Sequence, residues 1–196
     1  AASDVYKRQV LGVFGGVLVI DNVDYRLEFV KNYAQCEVYN FSYMEDPVEF
    51  LKKTTDSLGA DVCIDAVGCE ATGNMANHIM GVKLMLQGGS TTALHWAINS
   101  VKKGGIVSVV GVYGPIDALV PIGNVVNKGI TIRANQASVK RLLPRLIEHV
   151  KNGVINPKEI LTHRVPMEEA AEAYHIFSSK LDNCIKTVLI PPTATS

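Results

Sequence analysis

Neither sign of charge predominates in this chain. Lys+Arg and Asp+Glu stand at 19 each, so no basic face is set aside for nucleic acid and no polyanion is called for. No apolar run approaches the roughly 20 residues that span a bilayer. Lys7 and Arg8 followed by the apolar run from Val10 to Ile20 loosely imitate a secretion signal. No small-residue cleavage site follows, however, and Asp21 ends the run. The four cysteines, Cys36, Cys63, Cys69 and Cys184, lack the close pairing of structural zinc. Without a disulfide framework, a reducing, cytoplasmic setting is expected. His78, His95, His149, His163 and His175 make no metal-ligand spacing with any Cys, Asp or Glu, and no Ser-His-Asp or Cys-His arrangement is supported. One glycine motif is missing as well. Gly-x-Gly-x-x-Gly, which cradles the pyrophosphate of a dinucleotide, should precede the acid of the second strand by about 20 residues. Gly12, Gly15 and Gly16 lie too close to the strand ending at Asp21 to supply it.

What is present is a chain with a 47% apolar share, enough for a sizeable core in one large domain or one domain and part of another. Its organising stretch runs from Ala93 to Gly114. Leu94, Ala97, Ile98 and Val101 fall on one helical face, and Lys102 and Lys103 suit the negative end of a helix. Gly104-Gly105 is expected to stop that helix. Ile106, Val107, Val109 and Val110 form a short apolar run that reads as a strand buried on both faces. Gly111 and Gly114 close it with a turn where little side chain blocks a ligand. In doubly wound sheets ligands bind just beyond such carboxyl ends.

The remaining elements follow in order. Val17 to Asp21 is a buried strand, Asp24 to Tyr33 a helix with Leu27 and Val30 inward, and Glu37 to Asn40 a second strand. Asp46 caps a helix that has Pro47 at its first position, and Gly59 stops it. Asp61 to Gly68 is a third strand, and residues 69–90 a long, poorly periodic segment. Pro121 to Lys128 is polar and turn-like, and Ile130 to Ala134 a strand. Val139 to Val150 keeps helical spacing, with Pro144 either kinking the helix or marking its start. Thr162 to Val165 is a strand, Met167 to Ser179 a helix burying Ala170, Ala173, Tyr174 and Phe177, and Ile185 to Ile190 the last strand.

Asp21 is the sharpest chemical signal. A carboxylate ending the second strand of a dinucleotide-binding fold accepts hydrogen bonds from ribose hydroxyls. It also repels the extra phosphate of NADP, which favours NAD. The competing reading makes it a strand-end cap for the following helix. Arg26 either lies over an adenine face or is a solvated helix arginine. Gly68 and Gly111 form the opposite wall of such a site. Tyr113 is either a ligand contact or packing over its loop.

These residues resemble the medium-chain dehydrogenase/reductase superfamily, specifically zinc-dependent alcohol dehydrogenases close to glutathione-independent formaldehyde dehydrogenase. The resemblance spans Leu11 to Pro191. Its main segments are Val-Ile-Asp-Asn-Val-Asp-Tyr-Arg-Leu-Glu at 19–28, Gly-Ala-Asp-Val-Cys-Ile-Asp-Ala-Val-Gly at 59–68 and the Lys-Lys-Gly-Gly run at 102–114. Shorter matches stand at 127–133 and 162–166. The resemblance implies that Asp21 and Arg26 hold the adenosine end of NAD. It further implies that Val67, Val110 and Val112 line the cofactor cleft and that Asn135 and Ala137 stand beside the nicotinamide. It implies an alcohol or aldehyde substrate, zinc in the full-length enzyme with ligands absent from this chain, and a homo-oligomer at full length.

The expected architecture is α/β, an incomplete Rossmann sheet that is doubly wound and mostly parallel, lacking its first strand. Residues 1–9 are expected to be a foreign or disordered tail and 10–153 a partial dinucleotide-binding domain. Residues 154–196 are expected to be the carboxyl-terminal portion of a GroES-like catalytic domain. On this reading the chain is a fragment without activity of its own. A zinc-free reductase of the same superfamily and a non-catalytic nucleotide-binding module are the alternatives.

Overall fold

The computed structural model describes residues 16–67, 91–111, 113, 120–135 and 138–192. Along them run β1 (Leu18–Asp21), α1 (Asp24–Ala34), β2 (Glu37–Asn40), α2 (Pro47–Lys53), β3 (Ala60–Asp65), α3 (Thr92–Ser100) and β4 (Val101–Val109). There follow α4 (Ile122–Lys128), β5 (Thr131–Ala134), α5 (Val139–Lys151), β6 (His163–Pro166), α6 (Ala170–Ser178) and β7 (Thr187–Ile190). The chain divides into two compact units, residues 1–40 with 140–196, and residues 41–139.

In the first unit β1 and β2 are parallel, in register from Leu18 opposite Glu37 to Asp21 opposite Asn40. The helix between them, α1, makes this a β-α-β unit. Leu27 and Val30, three apart, are the buried residues of α1, as a helix presenting one face requires. Val30 and Cys36 form a small core with Val17, Val19, Phe29 and Val38 around them, Cys36 serving as a compact apolar filler. A second parallel pair joins β6 to β7. Ala173 of α6 is buried, but Tyr174 is 71% exposed and Phe177 is exposed as well. The expectation that both aromatics turn inward is therefore corrected. A helix of nine residues presents only a narrow row to its neighbours, and Tyr174 lies about 100° around the axis from Ala173. α5 starts at Val139 and continues through Pro144, which is not its beginning.

The second unit is the parallel sheet β3-β4-β5. Cys63 stands beside Val107 and Val107 beside Ile132; Asp65 stands beside Val109 and Val109 beside Ala134. Leu94, Ala97 and Ile98 of α3 pack with Val101 and Val107, and Cys63, Val109, Val125 and Ile130 close around them. Burial pushes the Cys63 thiol up to about 11, so it behaves as the small hydrophobe expected of a core cysteine. At α2 the local reading holds: Asp46 Oδ1 accepts from the Val48 and Glu49 N–H groups at 2.8 and 3.3 Å, with Pro47 in the first turn.

Three expectations change. The helix of the central stretch ends at Ser100, and Gly104-Gly105 lies inside the β4 run. Ala60 pairs with Val101, yet Val62 pairs with Ile106, so residues 102–105 bulge from the ladder. Gly104 takes a φ of +70°, and a Cβ on Gly105 would lie 2.6 Å from Val101 Cγ2. Lys102 Nζ pins the bulge to Asp61 Oδ1 at 2.5 Å. The glycines thus serve a strand bulge rather than a helix stop. Second, residues 122–128, expected to be turn-like, form α4, ended by Gly129 in the left-handed region at φ 61°. Third, the run from Ile106 to Val110 is not buried on both faces: Ile106 and Val109 are half-buried and Val110 is exposed. Val107 faces the helices, whereas Val62 and Ile64, on the other face, are 49% and 43% exposed.

Candidate functional site

The first unit contributes the carboxyl end of β1. Asp21 is half-buried there, and its Oδ1 accepts from the backbone N–H of Asn22 at 2.7 Å and of Val23 at 3.1 Å. These bonds order the turn into α1, whose own N-cap residue, Val23, has no capping side chain. Among the described residues nothing bonds Asp21 Oδ2. Beside it in register, Asn40 Nδ2 donates to Asp24 Oδ1 at 2.6 Å and to Asn22 O at 3.4 Å. Asn40 and Asp24 therefore fix the first turn of α1 against the strand end. Sequence reasoning missed this pair. Its only local signal is a polar residue closing each strand and opening the helix. The Arg26 guanidinium carbon lies 5.9 Å from the Tyr25 ring centroid, within the range of a cation–π contact.

The second unit contributes the ends of β3, β4 and β5. Asp65, the last residue of β3, is 2% exposed. Its Oδ1 accepts from Val67 N at 3.1 Å, and its Oδ2 accepts from the Tyr113 hydroxyl. Its main-chain carbonyl accepts from Val110 N and Gly111 N at 2.8 and 3.0 Å. Burial, then the hydrogen bond to Asp65 and its negative charge, hold the Tyr113 phenol well above its ordinary value. Of the two readings left open for Tyr113, this contact makes it a lock on the strand ends. Gly111 is required here: a Cβ would lie 2.7 Å from Val67 O and 3.2 Å from Asp65 Oδ1. Val67 and Val110 are exposed just beyond the strand ends, at 36% and 39%. Asn135, after β5, is exposed and donates to Ser138 Oγ at 3.2 Å. Gly68, Val112, Gly114 and Ala137 lie outside the described residues.

Among the described residues no three His, Cys, Asp or Glu side chains converge on a position that could hold a metal ion. Cys36, Cys63 and Cys184 form no disulfide among the described residues. No helix among the described residues is long and apolar enough to cross a membrane.

Parallel β-α-β units whose carboxyl ends carry acids and glycines are the architecture of nucleotide-binding α/β proteins. The comparisons with known proteins agree with that class. An uncharacterized zinc-type alcohol dehydrogenase-like protein, AdhB of Bacillus subtilis (strain 168), is 39% identical over 176 residues, covering 89% of this chain and 46% of the relative. Among solved structures, the alcohol dehydrogenase TADH from Thermus sp. ATN1 is 26% identical with a TM-score of 0.72, over 95% of this chain and 46% of that one. The Escherichia coli CFT073 protein rspB, called a short chain alcohol dehydrogenase and solved with the cofactor NADH, has a TM-score of 0.73 at 18% identity, over 94% and 47%. That likeness speaks to fold alone. No family model matches the chain. Its homologues and structural neighbours are thus zinc-type alcohol dehydrogenases and proteins like them, of the medium-chain dehydrogenase/reductase superfamily. The chain spans about half the length of the curated relatives it matches.

Proposed function

We propose that this chain is the nucleotide-binding part of an NAD-dependent, zinc-containing alcohol or aldehyde dehydrogenase, with relatives of the formaldehyde dehydrogenase type as its subgroup. The observation that carries this reading is Asp21. It ends a parallel strand, spends one carboxylate oxygen on the turn behind it, and keeps the other without a partner among the described residues. That is the acceptor a ribose diol needs for its hydroxyl donors, and it fits the adenosine end of NAD. A carboxylate there disfavours the extra phosphate of NADP by about 4 kcal/mol at 4 Å and an effective dielectric near 20.

In this reading Arg26 supports the adenosine end, Val67, Val110 and Val112 give the cleft its apolar wall, and Asn135 and Ala137 flank the nicotinamide. Residues 10–153 form the nucleotide-binding domain and 154–196 the return into the catalytic domain; residues 1–9 lie outside the described residues. NAD, when bound, supplies the hydride acceptor. On the family resemblance, we assign the ligands of zinc and the proton relay to the catalytic part of the full-length enzyme. The full-length protein is a cytoplasmic homo-oligomer in this proposal.

Calorimetric titration of NAD and NADP into the purified 196-residue chain tests the reading. NAD is expected to bind and NADP to bind at least tenfold more weakly, with no turnover of alcohols or aldehydes even with zinc added. Asp21→Ala should erase the preference. Equal affinity of the parent chain for both dinucleotides would overturn the role of Asp21, and turnover would overturn the placement of the catalytic groups.

A further inference from the structure

The Tyr25 hydroxyl reaches out of the first turn of α1 and donates to the main-chain carbonyl of Cys184 at 3.1 Å, across 159 residues of sequence. Cys184 is fully buried. It closes a turn, residues 180–184, in which Lys180, Asp182 and Asn183 take φ values of 57°, 50° and 52°. Side chains other than glycine adopt that region only against steric resistance, asparagine and aspartate least so. Such a turn persists only where its surroundings hold it. Apolar packing does little of the holding, since Leu181 is 47% exposed.

Hydrogen bonds hold it from two sides. On the β6 side, the His163 imidazole joins Asp182 Oδ2 at 3.0 Å through Nε2 and Thr162 Oγ1 at 2.9 Å through Nδ1. The same threonine oxygen accepts from Ile185 N at 3.0 Å. On the α1 side stands Tyr25. Its half-buried ring lies 5.9 Å from the guanidinium carbon of Arg26. A ring fixed by its hydroxyl gives that long side chain a defined seat, and less rotamer freedom is then lost when a ligand meets it.

We propose that Tyr25 is a positioning residue for the dinucleotide: tied to Cys184, it holds Arg26 and the first turn of α1 in the geometry that binds. The proposal rests on the adenosine reading of Asp21 and Arg26. It adds a link between that site and a turn near the far end of the chain. Coupling between two sites is reciprocal. If the closed turn favours NAD, bound NAD favours the closed turn by the same factor.

The test pairs calorimetric titration of NAD with alkylation of cysteines by N-ethylmaleimide, read by mass spectrometry on the purified chain. Cys184 has no accessible surface, so its alkylation reports opening of the turn. Cys36, in the small core under α1, reports what NAD does to the unit as a whole. Tyr25→Phe keeps the ring and loses the hydroxyl. It should weaken NAD roughly threefold to tenfold, the worth of one neutral hydrogen bond. In the parent chain, saturating NAD should slow alkylation of Cys184 by that same factor beyond any slowing at Cys36, and in Tyr25→Phe this extra slowing should vanish. Asp182→Gly, which frees the turn from His163 and leaves Tyr25 in place, should speed alkylation of Cys184 yet keep its slowing by NAD. A variant that only loosens the turn thus moves the first quantity and not the second. Failure of the parent chain to bind NAD would overturn the reading of Asp21 and this proposal with it. Binding that Asp21→Ala weakens and Tyr25→Phe leaves unchanged, with equal slowing at Cys184 in parent and Tyr25→Phe, would overturn the role of Tyr25 alone.

Discussion

Asp21 and Asp65 invite comparison because their surroundings begin alike. Each is the last residue of a parallel strand, and each accepts the backbone N–H two residues on, Val23 or Val67, at 3.1 Å. Beyond that they part. Asp65 is 2% exposed and gives its second oxygen to Tyr113, while its carbonyl gathers the N–H groups of Val110 and Gly111. Asp21 is half-buried, with its second oxygen unpartnered among the described residues. One turn geometry thus serves two ends. A carboxylate whose oxygens are all taken is a structural lock, and one that keeps an oxygen in reach of solvent can take a ligand.

The sharpest way to break this contrast is to remove each acid. Asp65→Ala leaves the Tyr113 hydroxyl and the Val67 N–H, both part-buried, without their acceptor. At about 1–3 kcal/mol for each orphaned group, a loss near 3 kcal/mol is expected in urea unfolding. Asp21→Ala should cost less than about 1 kcal/mol, because water can replace the carboxylate on exposed N–H groups. It should nonetheless weaken NAD binding roughly tenfold to a hundredfold, the worth of one charge-assisted hydrogen bond. Equal stability losses for the two variants would erase the distinction. Between them lies Gly111→Ala, whose Cβ meets backbone at 2.7 Å. Backbone cannot step aside as a side-chain tip can, so a loss of about 2 kcal/mol is expected by the same measurement.

The contrast also explains which parts of the molecule were legible in the sequence. Asp46-Pro47 capping α2, the strand Glu37–Asn40 and the strand-end position of Asp21 were legible because neighbours in sequence decide them. The Gly104-Gly105 bulge was not, because it depends on the register of β4 against Ala60 and Val62 far earlier in the chain. The lock between Asp65 and Tyr113 joins residues 48 apart, and that between Asp24 and Asn40 joins residues 16 apart. No periodicity announces either. α4 escaped because its seven residues, Ile-Gly-Asn-Val-Val-Asn-Lys, are too few for a period. They mix β-branched residues with Gly and Asn, poor helix formers all, with Val125 packing against the core. Tyr174 and Phe177 misled in the other direction: helical spacing names a face, but only the neighbouring elements decide how wide a face is covered.

The smallest expected effect separates the two strand ends by pH. The Tyr113 phenol is raised above the unfolded value of about 10, so between the two values the folded chain holds a proton that the unfolded chain has lost. Stability from this group is complete below pH ~10 and is lost as pH rises through the folded value. Urea midpoints measured upward from pH ~9 should therefore fall with a slope that Tyr113→Phe flattens. Asp21→Ala, which touches no phenol at its strand end, should leave that slope in place. A parent chain whose midpoint stays level across this range would mean that Tyr113 ionises as a solvated tyrosine does, and that Asp65 is no more locked than Asp21.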